Sequence, residues 1–227
     1  MSELLSVIWL TLKLAGVTTL ILLVLATPLA WWLARTRGLA SEFVAALVAL
    51  PIVLPPTVLG FYLLIAMGPD SPLMVPLQAL GVRTLAFTFE GLVIGSILYS
   101  LPFAVQPLRN AFAAVGEDSL DAAATLGASG LQTFARVVLP LSVPGYVVAA
   151  ILTFAHTIGE FGVVLMIGGA IPGVSNVLSI EIFKSVEALE WGRAHLLAAL
   201  LTVFGLAVVL SLLRLERRFS VLPLNER

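Results

Sequence analysis

The chain has 227 residues, 60% hydrophobic and 11% charged, whereas soluble domains average roughly 45–50% apolar and about 25% charged. With a mean hydropathy of +1.10 the composition is that of an integral membrane protein, whose apolar surface faces lipid at no cost. The net charge of -1 offers no basic face for phosphates and excludes a nucleic-acid partner. The absence of cysteine excludes thiol catalysis, thiolate metal sites and disulfides.

Five apolar stretches reach the length of about 20 residues that a helix needs to cross the hydrocarbon. They are expected at about 14–34, 43–67, 87–108, 143–168 and 195–214, making an all-α protein of about five transmembrane helices. Glu3 in place of a basic leader, and an apolar run extending through Leu33, argue against a cleaved signal peptide. Ahead of the first span, Leu4, Leu5, Ile8, Trp9 and Leu12 repeat at helical spacing. Residues 1–13 therefore read as an amphipathic segment that either lies in the interface or extends the first helix. A transmembrane domain covers 14–214 and a tail 215–227.

Basic residues near span ends are retained on the cytoplasmic side. An outside N-terminus and inside C-terminus place Arg35, Arg37, Arg109, Arg136, Arg214, Arg217, Arg218 and Arg227 inside, against Lys13, Arg83, Lys184 and Arg193 outside. Three connections are long: outer 68–86, inner 109–142 and outer 169–194. The last holds Val177, Ile180, Ile182, Phe183 and Val186 among Glu181, Lys184, Glu187 and Glu190, which predicts a short amphipathic helix on the outer surface, with Trp191 as an interfacial anchor.

Prolines recur inside the spans: Pro28, Pro51, Pro55, Pro56, Pro102, Pro107 and Pro144. Each removes a backbone donor and kinks its helix, which lipid tolerates where neighbouring helices or a cavity satisfy the freed carbonyls. Gly91 and Gly95 form a Gly-xxx-Gly pair suited to close helix packing.

In the inner connection, Glu117, Asp118 and Asp121 favour a helix N-terminus, Ala122–Ala124 propagate it, and Gly127 suits a left-handed C-terminal position. The outcome is a helix of two to three turns with a small-residue face, including Ala122 and Ala123, for docking on another protein. An ordinary capped surface helix has the same local features. The longer pattern Asp121-Ala122-Ala123-x3-Gly127-x9-Val137-x-Leu139-Pro140 resembles the EAA signature of permease subunits of bacterial and archaeal ABC importers, Glu-Ala-Ala-x3-Gly-x9-Ile-x-Leu-Pro. The spacing matches throughout; Asp121 and Val137 are conservative departures.

The resemblance implies a type I ABC importer permease fold in a prokaryotic cell (inner) membrane, with Asp121, Ala122, Ala123, Gly127, Leu139 and Pro140 forming the coupling element for a cytoplasmic ATPase. It also implies a second copy of the chain, two cytoplasmic ATP-binding subunits and an external binding protein. The chain carries no Gly-x4-Gly-Lys-Ser/Thr loop, its lysines being Lys13 and Lys184, so ATP belongs to the partner subunits and no cofactor is expected on this chain. Leu50–Gly60, Gly159–Gly162 and Ile167–Gly173 look like molybdate transporter permeases, with sulfate permeases as close relatives. Molybdate or tungstate is therefore the expected cargo and sulfate the alternative.

Glu160 is the acidic residue deep within a span, where an ionisable group is costly unless it faces a cavity or a partner. His156, four residues earlier, is placed to pair with it. Gly159, Glu160, Phe161, Gly162, His156, Pro55 and Pro56 are thus candidates for a gate or helix-packing lock, the plain alternative being a structural hydrogen bond within span 4. No Arg or Lys falls clearly mid-span, so tight anion recognition belongs elsewhere; Thr57, Thr153 and Thr157 are hydroxyls available along a pathway. Two other classes remain open. Ser129 with His156 or His195 is a weak match to a hydrolase, and kinked helices would equally serve a channel or secondary transporter.

Overall fold

The computed structural model describes residues 2–220. In chain order the helices are α1 (Ser2–Arg35), α2 (Leu39–Val53), α3 (Pro56–Met67), α4 (Val75–Gln78, after a 3-10 turn at Pro72–Met74), α5 (Phe89–Ala113) and α6 (Glu117–Thr125). Then follow α7 (Gly130–Thr133), a π-helical turn at Phe134–Val138, α8 (Leu139–Leu141), α9 (Val143–Gly159), α10 (Gly162–Gly168), α11 (Leu178–Glu187) and α12 (Trp191–Ser220). Residues 221–227 of the expected tail, and the side chains of Arg217 and Arg218 used for orientation, lie outside the described residues.

Three helices are long and apolar enough to cross a membrane singly, within α1, α5 and α12, and the count reaches 5 if each of two bent pairs crosses as one. The 34 residues of α1 extend roughly 51 Å at about 1.5 Å per residue, well beyond a hydrocarbon layer of about 30 Å. Residues 3–13 continue this helix and are packed into the protein: Val7, Leu10, Thr11 and Leu14 are buried, while Trp9 is 68% exposed. The buried face is thus turned away from part of the apolar repeat, toward α5, α10, α11 and α12. The Thr11 hydroxyl accepts the Leu178 N–H at 2.9 Å, and Val7 packs with Leu178.

Two expected spans are broken. The stretch 43–67 divides into α2 and α3, bent by 110°. Pro51 is accommodated inside α2, and the break falls at Leu54 and Pro55, both extended with ψ of 137° and 134°. Each directly precedes a proline, and a pre-proline residue is driven out of the helical region by the next ring. The stretch 143–168 stops at Gly159 and resumes at Gly162, with Glu160 extended at φ -64°, ψ 129°. Glu160 therefore sits in a break, not within a continuous span. The loose carbonyl of Glu160 accepts the Ser179 hydroxyl of α11 at 2.5 Å, so α11 serves the break as well as the surface.

The short helices α3 and α10 lie against each other. A Cβ on Gly60 would sit 2.7 Å from Met166 Cβ, and one on Gly162 would sit 2.7 Å from Pro56 Cβ. Gly95 of α5 likewise faces Ile167 of α10, giving half of the Gly91–Gly95 pair a packing role. Around α1, α5 and α9 two apolar cores form. One, at the α6 end, joins Ala26, Ala30, Leu108, Phe112, Val138 and Ala149; the other, at the α11 end, joins Leu10, Leu14, Leu92, Val163, Ile167 and Ile180. Beside the first core the Tyr146 hydroxyl is 2.7 Å from Thr27 Oγ1, whose own proton goes to the Leu23 carbonyl at 2.6 Å. The α12 helix packs on α11 and α9 and leaves much of its apolar surface, including Leu196, Val203 and Leu206, exposed.

Enlarging Gly60 or Gly162 is expected to separate α3 from α10. Gly162→Val should destabilise the protein by about 1–3 kcal/mol, the usual cost of overpacking, and lower its melting temperature in detergent. Gly205→Val, which meets open space, serves as the control that should not.

Candidate functional site

The inner connection is more structured than a loop over 109–142. Helix α5 runs on through Ala113, and α6 begins at Glu117. Glu117 and Asp118 occupy the first turn of α6, where the helix dipole favours acid. Gly127 adopts φ 76° and closes the helix. Its N–H donates to Ala124 O at 2.9 Å and the Ala128 N–H donates to Ala123 O at 3.0 Å, the bond pair of a Schellman cap.

The two alanines of the expected docking face part company. Ala123 is buried, together with the partly buried Leu120 one turn away, whereas Ala122 and Asp121 are exposed. The exposed side instead presents Leu126, 87% exposed, beside Gly127. Leu131 follows at 80% exposed. A correction follows for Ala123: it packs inward against its own chain, because a helix three turns or shorter that rests on the bundle has to give one face to it. Leu139 and Pro140 lie exposed in the three-residue α8 at the foot of α9. Ser129 caps α7, its oxygen accepting the Gln132 N–H at 3.4 Å while Gln132 Oε1 accepts the Ser129 N–H at 2.9 Å. That geometry is a capping box and uses the hydroxyl for structure.

The gate candidates converge on a cavity of about 480 Å³ between the breaks, lined by Pro56 and Thr57 of α3, Tyr99 of α5, and His156 and Gly159–Gly162. Pro55 stands just outside it as the exposed residue before α3. The expected His156–Glu160 pair is absent. His156 Nδ1 is instead 2.9 Å from Ser100 Oγ, and its ring stacks on Phe103 at 4.1 Å between centroids. Ser100 also reaches Thr157 Oγ1 at 3.2 Å, and Thr157 donates to Thr153 O at 2.9 Å. The helix stops before Glu160, so the i, i+4 geometry that would have joined the two side chains is lost. Both Glu160 carboxylate oxygens are buried without a hydrogen-bond partner among the described residues. Ser96 lies beside the carboxylate yet outside hydrogen-bond geometry. Ser96 and Ser100, four residues apart on an apolar helix, were the available sequence signal for this polar seam.

Outside the spanning helices, Glu181 of α11 is a buried hub. It accepts from the Asn176 amide at 2.7 Å and pairs with Lys184 at 3.3 Å and Arg193 at 2.6 Å. A predicted surface helix thus proves to be an anchored one, with Leu178, Ile180, Glu181 and Ser185 all buried. Burial alone would raise the Glu181 pKa, but the Asn176 hydrogen bond and the Lys184 and Arg193 charges outweigh it and hold the value below the ordinary 4.5.

The family described as "Binding-protein-dependent transport system inner membrane component" matches residues 26–221. The molybdenum transport system permease protein ModB of Azotobacter vinelandii is 56% identical over 216 residues, covering 95% of each chain. The ModB of Escherichia coli strain K12 is 32% identical over 78% of each. A probable sulfate transport system permease of Prototheca wickerhamii is 30% identical, over 88% of this chain and 78% of that one. Among solved structures, a bacterial alginate ABC transporter in complex with its periplasmic protein has a TM-score of 0.76 at 18% identity, covering 97% of this chain and 81% of that one. An inward-facing MetNI methionine ABC transporter has a TM-score of 0.68 at 20% identity, covering 96% of both. At these identities the structural likeness establishes the fold, that of type I ABC importer permeases.

Because the folded-state pKa of Glu181 is depressed, its contribution to stability is present above 4.5 and is lost as pH falls through the folded value. Acid titration of the melting temperature should therefore show a downward step below that point. Glu181→Gln should remove the step, and an unchanged acid profile in that variant would exclude Glu181 as its source.

Proposed function

Since the chain belongs to the family of binding-protein-dependent transport system inner membrane components, we propose that it is the permease subunit of an ATP-driven importer for molybdate or tungstate. The carrying observation is the 56% identity to a molybdenum permease over 95% of both lengths. In this reading two copies form the pathway in a prokaryotic cell membrane, two cytoplasmic ATP-binding subunits supply energy, and an external oxyanion-binding protein delivers the ion. The N-terminus is outside and the C-terminus inside. Supporting that sidedness, α1 meets α11 at Thr11 and comes to Glu117 of α6 at Arg35. The two contacts are 24 residues apart, roughly 36 Å along the axis, so the coupling element and the α11 region lie at opposite ends of the bundle.

The coupling element is the exposed edge of α6, with Asp121, Ala122, Leu126 and Gly127, together with Leu139 and Pro140. Leu126 is an apolar side chain held out into solvent by a left-handed glycine, the arrangement a partner cleft would bury. Transport then requires the 480 Å³ cavity to open and close as the two broken helices shift. Glu160, buried and unpaired at the break, acts in that movement; a carboxyl group offers a dianion no cationic partner, and it is not assigned to the cargo.

The decisive measurement is uptake by proteoliposomes containing this chain, its ATP-binding subunit and the cognate binding protein. ATP-dependent molybdate uptake that excess sulfate fails to compete is expected. Sulfate uptake at equal efficiency, or molybdate uptake without nucleotide, would overturn the proposal. Leu126→Asp should abolish co-purification of the ATP-binding subunit while changing stability by no more than about 0.5 kcal/mol, as for an exposed site. Glu160→Ala should hydrolyse ATP without matching uptake, and wild-type coupling in that variant would remove Glu160 from the gate.

A further inference from the structure

Arg35 is the last residue of α1, and in the sequence it marked only a membrane edge. In the structure it joins three elements. Its Nη1 donates to Glu117 Oε1 at 2.9 Å, at the first residue of α6. Its Nη2 donates to the Phe112 carbonyl at 3.2 Å and the Val115 carbonyl at 3.1 Å, closing the end of α5 where backbone acceptors have no helical partner. The guanidinium also lies over the Trp31 ring, 4.7 Å from its centroid. Trp31 in turn meets Phe112 edge-on at 5.6 Å and Phe134 at 5.5 Å, and Phe134 begins the π-helical turn that leads toward α9.

The inner half of this arrangement is fixed and its outer half is free. The carbonyl bonds and the aromatic ring hold the guanidinium, whereas Glu117 is 79% exposed and is attached to α6 as its first residue. An exposed ion pair contributes little to stability, so the contact is poorly explained as a device for holding the fold. It is well placed for transmission. Helix α1 is continuous through Pro28 and its far half carries Thr11, the acceptor for the first N–H of α11, so displacement of the α6 N-terminus acts on its near end.

We propose that Arg35 is a positioning residue that carries movement of the coupling helix α6 into α1, and through α1 to the α11 end of the bundle. This inference rests on the reading of α6 as the ATPase-coupling element, and it adds a second route beside the direct connection through α7 and α8 into α9. Glu117 is the moving partner and Arg35 the fixed one. The Trp31, Phe112 and Phe134 cluster keeps α1, α5 and the α9 foot in step.

The test is the number of molybdate ions imported per ATP hydrolysed by the complete complex in proteoliposomes, with melting temperature and subunit assembly measured alongside. Glu117→Arg, at an exposed position, and Arg35→Glu should each lower that ratio about fivefold or more, the scale of a coupling free energy between sites. The combined Arg35→Glu/Glu117→Arg exchange should lower it no further than Arg35→Glu does alone, the non-additivity of a direct pair, because a glutamate at 35 cannot rebuild the bonds to the Phe112 and Val115 carbonyls. An assembled Glu117→Arg complex with a wild-type ratio would overturn the inference. So would an exchange whose loss is the product of the two single losses, since Glu117 would then act independently of Arg35, on the ATPase directly. A wild-type complex with no nucleotide-driven uptake would overturn the transport reading itself and this inference with it.

Discussion

A helix that ends inside an apolar layer strands backbone groups that water would otherwise satisfy, and each such group costs several kcal/mol unless the protein itself supplies a partner. Among the described residues a helix stops within an expected span at two places, Leu54–Pro55 and Glu160–Phe161. The consequences organise the rest of the molecule. The two short helices that follow the breaks lie against each other through Gly60 and Gly162. Helix α11 is drawn in so that Ser179 reaches the Glu160 carbonyl. A cavity is left between the breaks, lined by hydroxyls and rings instead of by lipid-facing aliphatic groups.

The burden of holding these irregular segments falls on α1, α5 and α9, which contact one another along much of their lengths. Their mutual surface supplies both apolar cores, and small residues such as Ala26, Ala30, Ala104 and Ala149 are fully buried there. Small side chains permit close helix approach, the usual basis of association where lipid removes the hydrophobic driving force. Around this frame the two ends differ. At one, Glu181 ties Asn176, Lys184 and Arg193 into a closed ionic cluster; at the other, α6 projects an apolar tip into solvent. A rigid frame between one anchored end and one presented end is the arrangement that converts a push at the presented end into rearrangement at the breaks.

Much of this organisation was legible in the chain before any coordinates. The five apolar stretches, the proline cluster at Pro51–Pro56 and the acidic start and glycine stop of α6 all correspond to features of the structure. Each is a local effect, carried by a run of apolar residues, a ring that clashes with its predecessor, or a helix terminus. The misreadings share a different cause. Pairing His156 with Glu160 assumed a continuous helix, but Gly159 and Gly162 flank a break that no proline announces. Ala123 and Ala122 are chemically alike and adjacent, and only the direction from which the bundle approaches α6 separates the buried one from the exposed one. The short amphipathic helix expected after 177 is present as α11, but nothing in its pattern told that Glu181 is buried, with amide and cationic partners in residues that fold back over it.

The sequence by itself determined that the chain belongs in a membrane, roughly where its apolar stretches lie, and that residues 117–127 form a capped helix with the spacing of a coupling element. These depend on transfer free energies, backbone preferences and covalent spacing, all of which act over a few residues. Only the tertiary structure decided that Glu160 stands unpaired at a break, that His156 belongs to Ser100, and that Arg35 bridges α1 to α6 across 82 positions of sequence. Such pairings are selected by which helix faces meet in three dimensions, and buried polar atoms find partners by distance in space, not by distance along the chain.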